Sequence, residues 1–528
     1  MSTTIDLPSH FNVAEHFLNL NLGGEREDHP YLICGDDRLT YRELHEASER
    51  VGRGLLRLGV EPENRVMLLM SDSTRFPPCF WGAVLIGAVA VPVNTLLKRE
   101  DYRYFLEDSR AKVLIVDEVY WPEIEPIARE LPRLSHIVVS GAAAAGTVPL
   151  EELMAEGGPL EAEPMSADDA AFWNYTSGST GAPKAAVHLH RDMVYATELY
   201  ANQVLGLRPD DITFSAAKYF FAYGLGNSLY FPMAAGCTAV VYGARPTPEA
   251  MFEQIERYRP TVFYGVPTLY NAMLNTYEAW QAGENPPAGL PKLDSLRFAV
   301  SAGEALPAET FQRWKRLFGT ELLDGIGSTE MLHIFISNRP GHVKPGSSGK
   351  PVPGYETRLV DEHGEPVPTG EAGMLLVKGE SAAAYYWNKH QKTKSTMLGE
   401  WLATGDRYIL DEEGYYWYQG RSDDMMKVSG SWVSPVEVES ALLGHDAVAE
   451  CAVVGHVDDA GLTKPKAFVV LKPGQEESEE LAGALIAHVK AQIAGFKSPH
   501  WIEFASDLPK TATGKIRRFA LREGVSSE

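Results

Sequence analysis

The chain has 528 residues, 45% of them hydrophobic and 23% charged, and at roughly 100–200 residues per domain this allows about three to five domains with a large core. Its 71 acidic residues against 48 basic ones leave a net charge of -23. That balance argues against a nucleic-acid partner and against an anionic membrane surface, both of which want a basic face, while a locally basic site for an anionic substrate stays open. The start, Met1 to Leu7, has neither a basic region nor an apolar core of signal length. No apolar run approaches the ~20 residues of a spanning helix. Cys34, Cys79, Cys237 and Cys451 are scattered without metal-type spacing, so reduced thiols in the cytoplasm are the expectation.

In chain order, Leu44, Ala47, Val51, Leu55 and Leu58 recur at helical spacing and Gly59 supplies a stop. Val66–Met70 reads as a buried strand, Phe80–Gly87 as a buried helix, and Ala88–Val93, Val113–Val116 and Ile137–Val139 as strands. Residues 140–147 form a small-residue loop. Ala170–Trp173 reads as a strand end, and Ala185–Tyr195 has helical composition. Strands are expected at Ile212–Ser215, Ala239–Tyr242, Val262–Tyr264 and Leu296–Val300. After Gly420-Arg421-Ser422-Asp423-Asp424 the composition shifts. Val436–Leu443 and Leu481–Ile493 read there as helices, and Val448–Val454 and Ala467–Leu471 as strands. The acidic run Glu476–Glu480 is a solvated segment. The alternation predicts layered, mostly parallel α/β sheets followed by a small α+β unit.

Five motifs carry chemistry. Tyr175-Thr176-Ser177-Gly178-Ser179-Thr180-Gly181-Ala182-Pro183-Lys184 combines glycines, hydroxyls and a cation in the manner of a phosphate cradle, although its glycine spacing is not that of a Walker A loop. Ser301-Ala302-Gly303-Glu304-Ala305 follows a strand with small residues that let a flat ring approach the backbone. Asp324-Gly325-Ile326-Gly327-Ser328-Thr329-Glu330 offers a hydroxyl for phosphate and a carboxylate for Mg²⁺, with a capped helix start as its plain reading. Thr404-Gly405-Asp406, followed by Tyr418 and Arg421, suits ribose hydroxyls. Pro509 to Ile516 places Lys515 on a Gly-bearing loop. Alone, each has a bland reading as a surface loop or a solvated charge; their fixed order weighs against that.

Together these motifs resemble the adenylate-forming superfamily over nearly the whole chain. Phe220 to Asn227, Tyr264 to Tyr270, Gly325 to Phe335 and Lys427 to Gly430 are similar to the benzoate–CoA ligase branch. The resemblance implies a large N-terminal domain (1–422) of layered sheets and helices, and a small mobile α+β C-terminal domain (423–528) hinged at Asp423. It implies ATP with Mg²⁺, coenzyme A as a substrate, and an acyl–AMP intermediate. Thr176, Ser177, Gly178, Thr180, Gly181, Lys184 and Thr329 would bind phosphate, and Glu330 the metal. Gly303, Glu304, Ala305, Asp324, Ile326, Asp406, Tyr418 and Arg421 would bind adenine and ribose. Ala222, Tyr223, Gly325, Gly327, Leu332 and His333 would line the acyl pocket beside Gly303, with glycines leaving room for a ring. Lys515 would serve adenylation and Lys427 thioester formation. Ala185 replaces a glycine common after the loop lysine, which reduces backbone freedom there. Many members are dimers, so a homodimer is an open expectation.

His333 is read as a structural or wall residue, with recognition of a ring substituent as the alternative. Benzoate is the leading acid; hydroxy-, amino- or fluorobenzoates and other cyclic or medium-chain acids share the chemistry. A nucleotide-binding paralogue without activity would tolerate losses at Lys184, Glu330, Asp406 or Lys515, and all four are present.

Overall fold

The computed structural model describes residues 5–142, 144–176, 182–422, 424–428, 431–458, 462–510 and 516–522. Among them, two large sheets are built from strands of mixed direction with parallel interiors. The first runs in the order Tyr385–Tyr386, Lys184–Leu189, Ala170–Thr176, Val89–Pro92, Arg65–Leu69, Val113–Asp117, His136–Ser140, Val148–Pro149. The second runs Lys350–Pro351, Ile334–Ser337, Glu321–Gly327, Phe298–Ser301, Val262–Gly265, Ile212–Ser215, Thr238–Val240, Pro30–Cys34, Asp37–Thr40.

Strand periodicity sorts their side chains into layers. Val66 and Leu68 of the first sheet share a central core with Val262, Tyr264 and Val300 of the second. Met67 and Leu69 face the other way, onto Phe105, Trp121 and Ile124. Phe263, Ala299 and Leu322 likewise face outward, onto Phe252, Tyr270 and Trp314. Sheets covered on both faces need apolar residues at every strand position, which is why these segments read as continuous hydrophobic runs.

The helix Phe76–Leu85 fills the space between the sheets, and all of its residues are buried. It starts earlier than its sequence suggests, because Pro77 and Pro78 sit in the first turn, where a missing N–H is harmless. It crosses the helix Tyr41–Arg57, whose start is closed by Thr40 and Glu43 in a reciprocal capping box. At the crossing a Cβ on Gly82 would lie 2.7 Å from both Val51 Cβ and the Ser48 carbonyl oxygen.

Residues 356–421 add an antiparallel sheet, Glu356–Val360, Ala372–Lys378, Trp401–Leu410 and Met397–Leu398, with Tyr416–Arg421 paired to Trp401–Leu410. The C-terminal unit has its own core. Val448–Val457 pairs antiparallel with Thr463–Leu471, which pairs parallel with Trp501–Phe504. The helices Pro435–Leu443 and Glu479–Gln492 close one side through Val438, Leu442, Leu485 and Val489. Glu476 to Glu480 are exposed, and the last two open a helix capped by Ser478. Asp423, the expected hinge, lies outside the described residues. Its neighbour Asp424 pairs with Arg522 and, at 3.9 Å, with Arg518.

Gly82→Ala is expected to lower stability by about 1–3 kcal/mol through overpacking of that crossing, read as a lower thermal midpoint. Gly24→Ala, where nothing lies within 4 Å of the added carbon, should stay within about 0.5 kcal/mol. Equal midpoints for the two would contradict the close helix contact.

Candidate active site

The loop expected to cradle phosphate joins two antiparallel strands. Ala170–Thr176 pairs with Lys184–Leu189, with Thr176 opposite Lys184 and Tyr175 opposite Ala185. The helical expectation for 185–195 is therefore corrected: the chain stays extended to Leu189, and a helix runs His190–Ala196. Alanine-rich composition favours helix in isolation, but Ala185, Ala186 and Val187 are fully buried. Their strand is hydrogen-bonded on both sides, to Ala170–Thr176 and to Tyr385–Tyr386, and that pairing decides. Ala185 thus occupies a strand position where a glycine's freedom is not required. Ser177, Gly178, Thr180 and Gly181 lie outside the described residues.

Lys184 and Glu330 meet at Tyr386, a residue that sequence reasoning missed. The Lys184 Nζ stands 4.9 Å over the Tyr386 ring, and the Tyr386 hydroxyl donates to Glu330 Oε1 at 2.5 Å. Burial lowers the Lys184 pKa, while Glu330 pulls it back up and Lys392 and Arg421 lower it further. Residues 328–333 form a turn rather than the start of a helix. Three successive carbonyls of that turn accept from the first sheet's side, and that of Thr329 also accepts from the Leu332 N–H at 3.1 Å. Thr329 accepts from His188 Nε2 at 2.8 Å, Glu330 from the Ala383 N–H at 2.7 Å, and Met331 from Ser381 Oγ at 2.9 Å. Leu332, fully buried, takes a left-handed φ of 68°, a strained state for a bulky residue that surrounding structure has to impose.

Among the described residues no group of three or more His, Cys, Asp or Glu could hold a metal. A lone carboxylate still fits Mg²⁺ that arrives with a nucleotide, since this ion keeps waters and phosphate oxygens and needs only one or two protein carboxylates.

The adenine and ribose candidates are linked by one buried chain of contacts. Asp324 is opposite Ser301 in register. Its Oδ2 accepts from Ser348 Oγ at 3.3 Å, Ser348 accepts from Tyr408 at 3.1 Å, and the Tyr408 ring lies 5.3 Å from that of Tyr418. Asp324 Oδ1 is buried and has no hydrogen-bond partner among the described residues, and burial raises this carboxyl's pKa well above the usual range. Asp406 and Arg421 are cross-strand partners with 3.3 Å between their charged groups. Arg421 also donates to the Thr404 carbonyl at 3.1 Å. Gly405, at φ 79°, leaves room for this, because a Cβ there would lie 2.8 Å from the guanidinium. Gly303 has φ 97° and is exposed, Glu304 and Ala305 are half-buried beside it, and Ile326 lies opposite Ile336.

Around the expected acyl pocket, Ala222 and Tyr223 open the helix Ala222–Leu225, and the Tyr223 hydroxyl donates to the Val300 carbonyl at 3.1 Å. The buried His333 ring lies 4.5 Å from Phe231 and 5.5 Å from Tyr223. Its Nε2 faces two acceptors, Asn227 Oδ1 at 3.2 Å and the Tyr223 carbonyl at 3.3 Å. Nε2 therefore carries the proton, and Nδ1 is a buried acceptor without a partner among the described residues. Gly325 and Gly327 have a packing reason beside the one their sequence suggested. A Cβ would meet Ile334 and Ile336 at the first and the His333 backbone at the second, all within 2.9 Å, so close strand approach sets their identity. Lys427 stands exposed on Met426–Val428, a strand of a separate two-stranded sheet. Lys515 lies outside the described residues.

Comparison with known proteins places this geometry. The model of the AMP-binding enzyme family matches residues 23–387, and that of its C-terminal domain matches 437–515. The chain belongs to the AMP-binding enzyme family. It is 50% identical over 521 residues to the benzoate–CoA ligase of Thauera aromatica, covering 98% of this chain and 97% of that one. Among solved structures, an anthranilate–CoA ligase in complex with anthranoyl-AMP superposes with a TM-score of 0.93 at 46% identity, covering 98% of both chains. A benzoate–CoA ligase from Burkholderia xenovorans gives 0.88 at 46% identity, covering 97% of this chain and all of that one. The fold is thus the adenylate-forming one, with a large N-terminal and a small C-terminal domain.

Within this family frame, Tyr386, Ser348, Tyr408 and His188 are the residues the motifs did not reveal. Tyr386 had a faint signal, a Tyr-Tyr-Trp run; the others act through contacts that only the fold creates.

Burial lowers two imidazole pKa values, His333 to about 3 and His190 to about 4. The unfolded chain takes up these protons near pH 6.5 and the native state does not, so stability is lost as pH falls below that value. Each site contributes up to about 1.4 kcal/mol per pH unit. His190→Asn keeps an acceptor for the Val13 N–H that His190 Nδ1 now binds at 3.0 Å. Its loss of stability between pH 6.5 and 4.5 should be shallower than wild type in denaturant titrations; parallel curves would contradict the assignment.

Proposed function

We propose that the chain ligates an aromatic carboxylate, benzoate first, to coenzyme A through an acyl-AMP intermediate, releasing AMP and pyrophosphate. One observation carries the reading. In a chain half identical throughout to a benzoate–CoA ligase, a loop lysine and a lone carboxylate meet at Tyr386, near enough to Arg421 that its charge acts on both Lys184 and Tyr386.

A carboxylate is a poor electrophile because its leaving group would be oxide. Its oxygen attacks the α-phosphorus of ATP, the bond to the β-phosphate breaks, and the acyl group now carries AMP. Negative charge accumulates on phosphate oxygens in that step, so preorganised donors and cations supply the catalysis. In our reading Thr176, Ser177, Gly178, Thr180, Gly181, Thr329 and Lys184 receive the phosphates. Glu330 would hold Mg²⁺, which would supply charge neutralisation at the triphosphate. Asp406 and Arg421 hold the ribose with Tyr418 nearby, and Asp324, Gly303, Glu304, Ala305 and Ile326 surround adenine. Lys515 bridges carboxylate and phosphate. The C-terminal unit, taken from residue 423, then turns about Asp423 to bring Lys427 to the acyl-adenylate. The thiolate of coenzyme A attacks the acyl carbon, and the carbon–oxygen bond to AMP breaks. The reading keeps a cytoplasmic location without nucleic-acid or membrane partners and leaves the homodimer open. No helix among the described residues is long and apolar enough to cross a membrane.

A second reading has its own support. The unpartnered Nδ1 of His333 can accept from a ring amino or hydroxyl group, which favours a substituted benzoate. Incubation with ATP, Mg²⁺, coenzyme A and equimolar benzoate, 4-hydroxybenzoate, 2-aminobenzoate and hexanoate separates the two by product mass. Benzoyl-CoA is expected to dominate; an amino- or hydroxybenzoyl product would select the second reading, and hexanoyl-CoA would overturn both. Lys515→Ala should slow acyl-AMP formation by about 10²-fold or more, whereas Lys427→Ala should slow only the thioester step by a similar factor.

A further inference from the structure

We propose that His188 is a positioning residue for the phosphate site: it ties the carbonyl of Thr329 to the strand that carries Lys184, so that the loop lysine and the Thr329–Glu330 turn form one rigid unit. The inference rests on the reading of Thr329 and Glu330 as phosphate and metal ligands.

Lys184, Ala186 and His188 share one face of the strand Lys184–Leu189, since strand side chains alternate. Ala186 packs against Tyr386 and Ala383 on that face, and His188 reaches the turn itself. Its side chain is fully buried, with Nδ1 2.8 Å from Asp192 Oδ2 and Nε2 2.8 Å from the Thr329 carbonyl. A carbonyl cannot donate, so Nε2 carries a proton. Asp192 fixes the ring from the other side and is itself held, its Oδ2 accepting the Leu189 N–H at 3.0 Å. The Phe172 ring stacks on the imidazole at 5.1 Å and 15° from the partner strand of the hairpin. Position, tilt and protonated nitrogen are thus all set, and what they deliver is one hydrogen bond to the turn. Ala383 and Ser381 hold the next two carbonyls from outside this hairpin; His188 is the side chain that joins the turn directly to the Lys184 strand.

The role predicts a difference between two amide substitutions. The amide nitrogen of Gln reaches where Nε2 stands, and that of Asn reaches only where Nδ1 stands. By titration calorimetry, His188→Gln should keep the affinity for Mg·ATP within about threefold of wild type, while His188→Asn should lose about tenfold, the scale of one hydrogen bond. AMP, which lacks the outer phosphates, should bind both variants as it binds wild type. Thermal midpoints should fall in both, and further in the Asn variant, which loses the buried hydrogen bond to the Thr329 carbonyl. Glu330→Ala serves as the control on the underlying reading and should also weaken Mg·ATP. Equal Mg·ATP affinities for the Gln and Asn variants, with Glu330→Ala still impaired, would overturn the role of His188 alone. Unchanged Mg·ATP binding in Glu330→Ala would overturn the phosphate-site reading and this inference with it. A loss of AMP binding in step with Mg·ATP would show a general core defect and likewise overturn it.

Discussion

A turn without a helix is the constraint on which the site depends. Residues 328–333 leave the second sheet, reverse direction and return to it as Ile334–Ser337. The carbonyls of Thr329, Glu330 and Met331 are paired within the protein, where an unpaired acceptor costs about 1–3 kcal/mol; that of Thr329 also takes the Leu332 N–H of the turn itself at 3.1 Å. Donors for all three come from the neighbouring sheet's side, at His188, Ser381 and the Ala383 N–H. Satisfying that backbone therefore draws the two sheets together at the place where Lys184, Tyr386 and Glu330 meet. The positive φ of Leu332 is the local strain that this closure maintains.

The nucleotide side obeys the same logic with polar side chains. Asp324 is a buried carboxyl whose charged form burial disfavours, and it is held by Ser348, which is held in turn by Tyr408. That chain crosses from the parallel sheet to the antiparallel sheet that presents Asp406 and Arg421. Adenine and ribose candidates far apart in sequence are thereby fixed relative to each other before any ligand binds. Preorganisation of this kind is what an enzyme needs when its main task is to stabilise charge on phosphate oxygens. A strongly acidic chain can still receive an anion there, since the charges of Lys392 and Arg421 both act on Lys184 whatever the net charge.

Legibility from sequence followed the range of the forces involved. Strands covered on both faces, such as Arg65–Leu69 and Val262–Gly265, announce themselves as apolar runs, and the order of glycine, hydroxyl and charged motifs was enough to imply the family. The alanine-rich segment after Lys184 read as helix because composition reports local propensity, while two flanking strands decide the outcome. Residues 356–421 went unread as strands, since half-buried antiparallel strands mix polar and apolar residues. The close approach of Ile334–Ser337 to Gly325 and Gly327 is a tertiary fact that the sequence did not show. Tyr386 and His188 were invisible for the same cause: a tyrosine or a histidine acquires its role from what the fold brings to it.

The central claim is that one carboxylate oxygen becomes bonded to the α-phosphorus. The most direct measurement is turnover of benzoate labelled with ¹⁸O in both carboxylate oxygens, with ATP, Mg²⁺ and coenzyme A, followed by mass analysis of the nucleotide and phosphate products. The account predicts one ¹⁸O atom in AMP and none in pyrophosphate. Label appearing in a phosphate product with ADP formed, or AMP released without label, would contradict adenylation as the route to the thioester.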